Sequence, residues 1–450
     1  VKFKSTRLAF IAVALLVSAR NAKAEISLLD QNQFKFTVSG FIEADGMYDT
    51  TRSYKEIIGN NAIQLPGTPA GKNGRTQFTI RNSRLAFNLA APEINDWKTF
   101  AYMEFDFLGY NAASSGNSEA SLYSSPNIRV RHAYLQGSKG GFQFQVGQYW
   151  QLLGWQPYYF FSSDNISPLP GMLYSRTEQA RALETIHLGG ENDLTVAGAI
   201  LRPPQEDSSM PDFQAGARLT MASRQSGFTG SSAGKRRLMP MSVAVSGAYR
   251  QFAIPSVAGG SDLDRFNGYA FAANAFVPIL AADDKKSVSN TLSLMGEFSA
   301  GSGDGDQFSG WTGNYAQPLS TATNGTALNQ KIGLDAGLGD FDSAGNFHLV
   351  KLMSYNLHLQ YHLPYDLPDF VEVGAGELSS SNANSLVGSN GKTSAGSTPY
   401  NRVRGLFVNY FHDFTANLRT GVEYVYSDTL YGSGQTNHNS RYQASAFYLF

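Results

Sequence analysis

From Tyr442 to the final Phe450 the chain alternates without a break. Tyr442, Ala444, Ala446, Tyr448 and Phe450 occupy one set of positions, and the intervening set begins with Gln443 and Ser445. Successive side chains of a strand point to opposite faces, so this segment has one apolar wall finished by an aromatic residue. The first strand-like segment shows the same pattern. Phe34, Phe36, Val38, Gly40, Ile42, Ala44 and Tyr48 share one face, and Lys35, Thr37, Ser39, Glu43 and Asp45 the other, with Phe41 the one apolar intruder among them. In 347–363, Met353, Tyr355, Leu357, Leu359 and Tyr361 oppose Ser354, Asn356, His358, Gln360 and His362. Strands of soluble sandwiches average about 5–6 residues, whereas about 9–11 tilted residues cross a bilayer. Long two-faced strands predict an all-β chain folded as a transmembrane antiparallel β-barrel, oily outside and wet inside.

About sixteen such segments follow one another, near 34–48, 77–89, 97–109, 128–138, 142–150, 179–189, 193–201, 212–222, 238–251, 265–279, 288–300, 347–363, 370–378, 401–412, 416–426 and 439–450. Long Gly/Ser/Asn-rich connections (49–76, 109–127, 151–178, 301–346, 379–400, 427–438) alternate with tight ones, such as Lys139-Gly-Gly141 and Asp413 to Ala416. Short turns on one side of the membrane and long loops on the other are the asymmetry of a membrane barrel. Residues 223–237 do not fit, being too long for a turn.

The N-terminus reads differently. Lys2, Lys4 and Arg7 precede an apolar run from Leu8 to Ala19, and Ala22-Lys23-Ala24 supplies small residues for cleavage. This pattern predicts an export signal peptide over 1–24 and a barrel domain over 25–450, placed in a cell outer membrane. The run is too short to cross about 30 Å of hydrocarbon, and a mean hydropathy of -0.25 agrees with strands that average out as polar. With no Cys, disulfides and thiolate metal sites are excluded. Removing the five cations of 1–24 leaves 30 basic against 36 acidic residues. That balance is not the clustered basic footprint of a nucleic-acid binder. The expected partners are outer-membrane lipid, lipopolysaccharide and small hydrophilic solutes, with no cofactor and no nucleic acid.

Arg81-Asn-Ser-Arg84-Leu-Ala-Phe, Glu104-Phe-Asp106-Phe, Arg129-Val-Arg131-His-Ala-Tyr134 and Gly147-Gln148-Tyr-Trp150 come in order, followed by Gly296-Glu297-Phe-Ser-Ala-Gly301-Ser-Gly303, Gly421-Val-Glu423-Tyr424 and Arg441-Tyr-Gln443. This succession resembles the DcaP-like outer-membrane porins of Gram-negative bacteria. The resemblance implies a homotrimer of 16-stranded diffusion channels, a third loop folded inward, and passage of small, often anionic, organic solutes.

A channel needs no catalytic group; its selectivity comes from pore diameter and lining charge. A mid-depth Arg or Lys facing lipid costs about 2–4 kcal/mol, so charges on strands are expected inside. Glu43, Asp45, Lys98, Glu104, Asp106, Arg129 and Arg131 have interior parity, as do Arg84, Arg218, Arg250, Glu297, Glu372 and Glu423. Arg181 and Glu184 have opposite parity, and Arg181 is assigned to the interior. Arg84, Arg129, Arg131, Arg181 and Arg218 facing Glu43, Asp45, Glu104 and Asp106 would set a transverse field at a constriction. The third loop would add Asp164. An arginine fork suits carboxylate or phosphate, which points to anion preference; the plainer alternative is that many of these charges simply pair. Segment 151–178 is unusually apolar for a loop, with Leu152, Leu153, Trp155, Phe160, Phe161 and Met172. It must pack in the lumen or between subunits.

Other signals are weaker. Gly301-Ser-Gly303-Asp304-Gly305-Asp306 lacks the spacing of a phosphate or calcium loop and reads as flexible. Lys235-Arg236-Arg237 is expected to sit solvated in a short turn. The seven histidines form no compact Ser/His/Asp pattern, so an enzyme is not expected, an outer-membrane barrel enzyme or a surface adhesin being the alternatives.

Overall fold

The computed structural model describes the chain apart from residues 1–25, 32–33, 55–62, 110–126, 156–168, 232, 257–260, 284–285, 309–310, 312–318, 321–329, 336, 365–368 and 387–399. The expected signal peptide therefore lies outside the described residues.

The strands are β1 (Phe34–Asp49), β2 in two pieces (Arg75–Thr79 and Arg84–Ala90), β3 (Lys98–Gly109), β4 (Asn127–Lys139), β5 (Phe142–Trp150), β6 (Arg176–Gly189), β7 (Asn192–Leu201) and β8 (Asp212–Phe228). They continue as β9 (Arg237–Pro255), β10 (Leu263–Leu280), β11 (Thr291–Ser302), β12 (Lys351–His362), β13 (Asp369–Ser380), β14 (Tyr400–Asp413), β15 (Leu418–Tyr431) and β16 (Thr436–Leu449). Each pairs antiparallel with its sequence neighbour, and β1 pairs with β16 from Phe41↔Leu449 to Asp49↔Arg441. Phe450 completes the seam, exchanging backbone hydrogen bonds with Gly40 at 2.8 and 3.0 Å. The chain is a closed, sixteen-stranded antiparallel β-barrel. A short N-terminal strand, Ile26–Gln31, adds to the lower part of β1.

Closure pairs the wall's backbone groups all round, which a bilayer demands. The exterior is apolar and exposed: Ile42, Tyr48, Val243, Val245, Leu357, Val422 and Tyr448 each keep at least 40 % of their surface. Such a continuous belt is far larger than the apolar patches soluble monomers tolerate, about a few hundred Å², so it faces hydrocarbon. The alternate positions are buried and largely polar, as in β12, where Ser354, Asn356, His358, Gln360 and His362 are at most 3 % exposed. Among the described residues no helix is long and apolar enough to cross a membrane.

All sixteen expected strands are present, with several differences. Strands β15 and β16 run to Tyr431 and restart at Thr436, so the long loop expected at 427–438 is a tight turn. Thr291, not 288, begins β11, and Lys351, not 347, begins β12; the preceding loop contains its own ladder, Gly339–Phe341 with Phe347–Leu349. The misfit at 223–237 is a strand extension: after a shift between Met221 and Gln225, β8 keeps pairing with β9 to Phe228↔Arg237. The glycine-rich segment expected to be flexible is packed. Asp304, Gly305 and Gln307 are buried, and Arg250 holds Asp306 at 2.5 Å. The basic run is only partly solvated: Lys235 is exposed, but Arg236 pairs with Asp413 at 3.2 Å and Arg237 lies over the Phe228 ring.

Candidate functional site

The interior charges gather where β3 meets β4. Their register runs Tyr102↔Tyr134 and Glu104↔His132, then jumps to Phe105↔Val130, which leaves Arg131 as an extra residue. A bulge of this kind re-aims side chains. Arg131 and His132 are consecutive, yet both are buried, at 3 % and 4 % exposure. Strict alternation would send His132 and Tyr134 outward; the extra residue turns them inward. On the adjacent strand Gly147 accommodates the kink at φ 129°, where a Cβ would collide with the Ala133 carbonyl.

The bulged wall is an ion-pair network. Arg131 donates through Nε to Glu104 Oε1 at 2.5 Å and through Nη1 to Asp106 Oδ2 at 2.9 Å. Arg129 forks onto the same Asp106 at 3.0 and 2.6 Å. Tyr102 donates its hydroxyl to Glu104 Oε2 at 2.9 Å. Arg84 lies opposite Asp106 in register, with its guanidinium 5.3 Å from the Phe41 ring centre. Arg176 stacks 4.8 Å from the Trp150 ring and 5.8 Å from that of Tyr174. Burial alone would raise the Tyr174 phenol, but Arg131, Arg176, Arg84 and Arg129 outweigh it and draw its pKa down to about 8. The expected facing rows of opposite sign are thus not the arrangement on this wall. Glu104 and Asp106 lie beside their arginines on neighbouring strands, where hydrogen-bonded charge pairs are strongest.

The remaining expected residues are dispersed. Arg181 is 6 % exposed inside, donating to Gln179 Oε1 at 3.1 Å and to the Trp150 carbonyl, whereas Glu184 is exposed outside. Arg218 stacks 5.2 Å from the Trp155 ring. Glu43 is fully buried and accepts from Asn82 Nδ2 at 2.6 Å; its own N–H donates to Ser83 at 2.9 Å. The break in β2 therefore folds over it. Asp45 accepts from Ser445 at 2.5 Å and from Gln443 at 3.3 Å, both across the closing seam. Asp164 lies outside the described residues.

Both described ends of the third long loop are tied to the interior face. Leu152 and Leu153 each donate their N–H to Gln214 Oε1 at 2.8 Å, and Gly154 donates to Ser246 Oγ at 2.9 Å. Trp155 Nε1 donates to the Val245 carbonyl at 2.9 Å. Leu173 N–H donates to Glu297 at 3.0 Å, and Leu169 and Met172 pack on Phe407 and Val425. These anchors lie on β8, β9, β11, β14 and β15, away from the charged wall of β1 to β4. Sequence reading missed His132, Tyr134, Tyr174 and Arg176 as members of the cluster. It also missed the Arg441–Asp49 fork at the seam, 2.9 and 2.8 Å with both side chains fully buried. Only the cluster of polar residues in 129–134 hinted at the first two. Among the described residues no group of three or more His, Asp or Glu could hold a metal ion.

No protein-family model matches the sequence, and no curated protein sequence matches it either. Solved structures do match. OprB of Pseudomonas putida is 10% identical over 92% of this chain and 94% of its own, with a TM-score of 0.49. OmpF of Salmonella typhi is 11% identical over 92% and 98%, at 0.45. The outer membrane channel DcaP of Acinetobacter baumannii is 16% identical over 93% of this chain and 97% of its own, with a TM-score of 0.62. The chain thus has the fold of the DcaP channel.

Proposed function

We propose that this chain is an outer-membrane porin, a water-filled channel for passive diffusion of small hydrophilic solutes. The observation that carries this reading is the inversion of its surfaces, with a lipid-facing apolar belt around a charged, hydrogen-bonded interior. The third loop folds into the lumen as the narrowing element. Its anchors on β8, β9, β11, β14 and β15 support this, and they leave the solute path beside the wall of β1 to β4.

Along that wall Arg84, Arg129, Arg131, Arg176, Glu104 and Asp106 filter the solute, with Glu43 and Asp45 on the flank and Arg181 and Arg218 under the loop. Four arginines against two carboxylates leave the cluster cationic, which favours anions. Arg129 keeps 33 % of its side chain accessible and is the member best placed to meet a solute. Chemistry is not part of this reading: fixed interior charges need only orient a solute and lower its entry barrier. The reading includes export by segment 1–24 and assembly as a homotrimer, which native mass spectrometry in detergent tests by the mass of the particle.

Planar-bilayer recording tests the core of the proposal. The purified chain should give steady, ohmic single-channel steps. Arg129→Ala with Arg131→Ala should move the reversal potential in a salt gradient toward cation selectivity. A silent protein sinks the channel, and an unmoved reversal potential removes the two arginines from the filter.

A further inference from the structure

The ends of β8 and β9 at the short-turn side do not form a minimal turn. Beyond the bulge, pairing resumes from Gln225↔Pro240 to Phe228↔Arg237, and this hairpin crosses the barrel interior. Near its base Ser226 meets Ser293 at 2.9 Å, and Gly227 N–H donates to Thr291 Oγ1 at 2.8 Å. Phe228 packs edge-on against Phe276 at 5.7 Å. Further along, Thr229 exchanges bonds with the Gln360 side chain at 2.7 and 3.1 Å. Near its tip Ala233 packs on the cluster of Phe41, Phe370, Phe411, Phe447 and Leu449. There the Gly234 carbonyl accepts from Arg419 at 2.9 Å, and Arg236 pairs with Asp413. β1 lies eight places from β9 in the ring of sixteen, so the tip reaches the opposite wall.

Turns that only join strands need about 2–5 residues. This one instead has its backbone satisfied by side chains of three distant strands, β11, β12 and β15. Gly227 approaches so closely that a Cβ would run into His362 and Thr291. Phe41, the apolar intruder on an otherwise polar face, is explained by the same contact.

Beside the tip lies a cavity of about 820 Å³, into which Lys235 and Lys286 project alongside Arg84, Arg236 and Arg419. The two carboxylate side chains among its described lining residues, Glu104 and Asp413, are already engaged. Asp413 is forked by Arg419 at 2.5 and 3.1 Å and touched by Arg236, and Glu104 is held by Arg131 from outside the chamber. Lys235 and Lys286 are both exposed side chains of its lining, and five cationic side chains against two carboxylate side chains make the described lining net cationic.

We propose that hairpin 225–240 is a second narrowing in series with the third loop, and that the chamber beside it binds compact divalent oxyanions of the phosphate type. The transport consequence rests on the channel reading; the binding does not.

Two measurements on the full chain in detergent and in bilayers decide it. Isothermal titration with inorganic phosphate should show binding to the wild-type protein, weakened at least tenfold in Lys235→Ala/Lys286→Ala. No binding, or equal binding by both proteins, overturns the chamber. The chain has no cysteine, so Ser231→Cys gives a single thiol at the hairpin tip. Its reaction with a small charged methanethiosulfonate should cut the single-channel current, and an unchanged current after complete labelling overturns the narrowing. Absence of any wild-type current would instead fall on the porin reading, leaving the titration to judge the chamber.

Discussion

At the scale of single residues, burial rather than charge type sorts this interior. Arg441 and Asp49 lie fully buried in one fork at the closing seam, and Asn439 and Gln77 donate to the same carboxylate at 2.9 and 3.1 Å. A pair this dry holds only because every lone pair finds a donor. Asp304 is the opposite case. It is 1 % exposed, and outside its own backbone neither carboxylate oxygen has a hydrogen-bond partner among the described residues. Burial, reinforced by the neighbouring Asp306, pushes its pKa up to about 8, well above an unperturbed aspartate near 4. A raised acid binds more protons folded than unfolded. Its contribution is therefore complete below about pH 4 and is lost as pH rises through about 8. Thermal midpoints should fall over that window in wild-type protein, and Asp304→Asn should flatten the slope; an unaltered slope would place the titration elsewhere. Sequence identified Asp304 but read it as part of a flexible loop, because nothing local announces that Arg250, over fifty positions away, clamps its neighbour Asp306.

At the scale of elements, what distinguishes one connection from another is where its backbone hydrogen bonds go. The third loop's entry depends on Gln214, whose single oxygen accepts from both Leu152 and Leu153. Gln214→Leu keeps the apolar volume but strands two buried donors, each costing about 1–3 kcal/mol. The expected result is a loop that detaches, giving noisier and larger single-channel currents at unchanged barrel stability. Currents identical to wild type would show that this anchor is dispensable. Strand positions were legible because alternation survives without knowledge of partners. The bulge at Arg131 was not, since an extra residue is visible only in the pairing of β4 with β3. Hence strict alternation alone would send His132 and Tyr134 to the wrong face.

At the scale of the whole molecule, the barrel sits in two solvents at once. Leu357, 52% exposed on the exterior of β12, stands next to Asn356, 3 % exposed within. Leu357→Arg should destabilise insertion by about 2–4 kcal/mol if the position lies near mid-bilayer, measured by equilibrium refolding into lipid vesicles. An equally stable variant would mean that this face does not meet hydrocarbon. Closure itself depends on residues at the two ends of the sequence, as the Gly40–Phe450 bonds and the Asp49–Arg441 fork join β1 to β16.

Alone, the order of amino acids determined about sixteen strands, the two-faced wall and, away from the bulge at Arg131, the sense of each face. All three are written at a spacing of two residues, and a pleated backbone enforces that spacing locally. Tertiary structure decided which connections turn back into the barrel and which arginines share a carboxylate. Those outcomes rest on partners far apart in the chain, such as Gly154 with Ser246 or Thr229 with Gln360. Contacts at such separations leave no period in the sequence, and only the closed ring brings them within hydrogen-bonding distance.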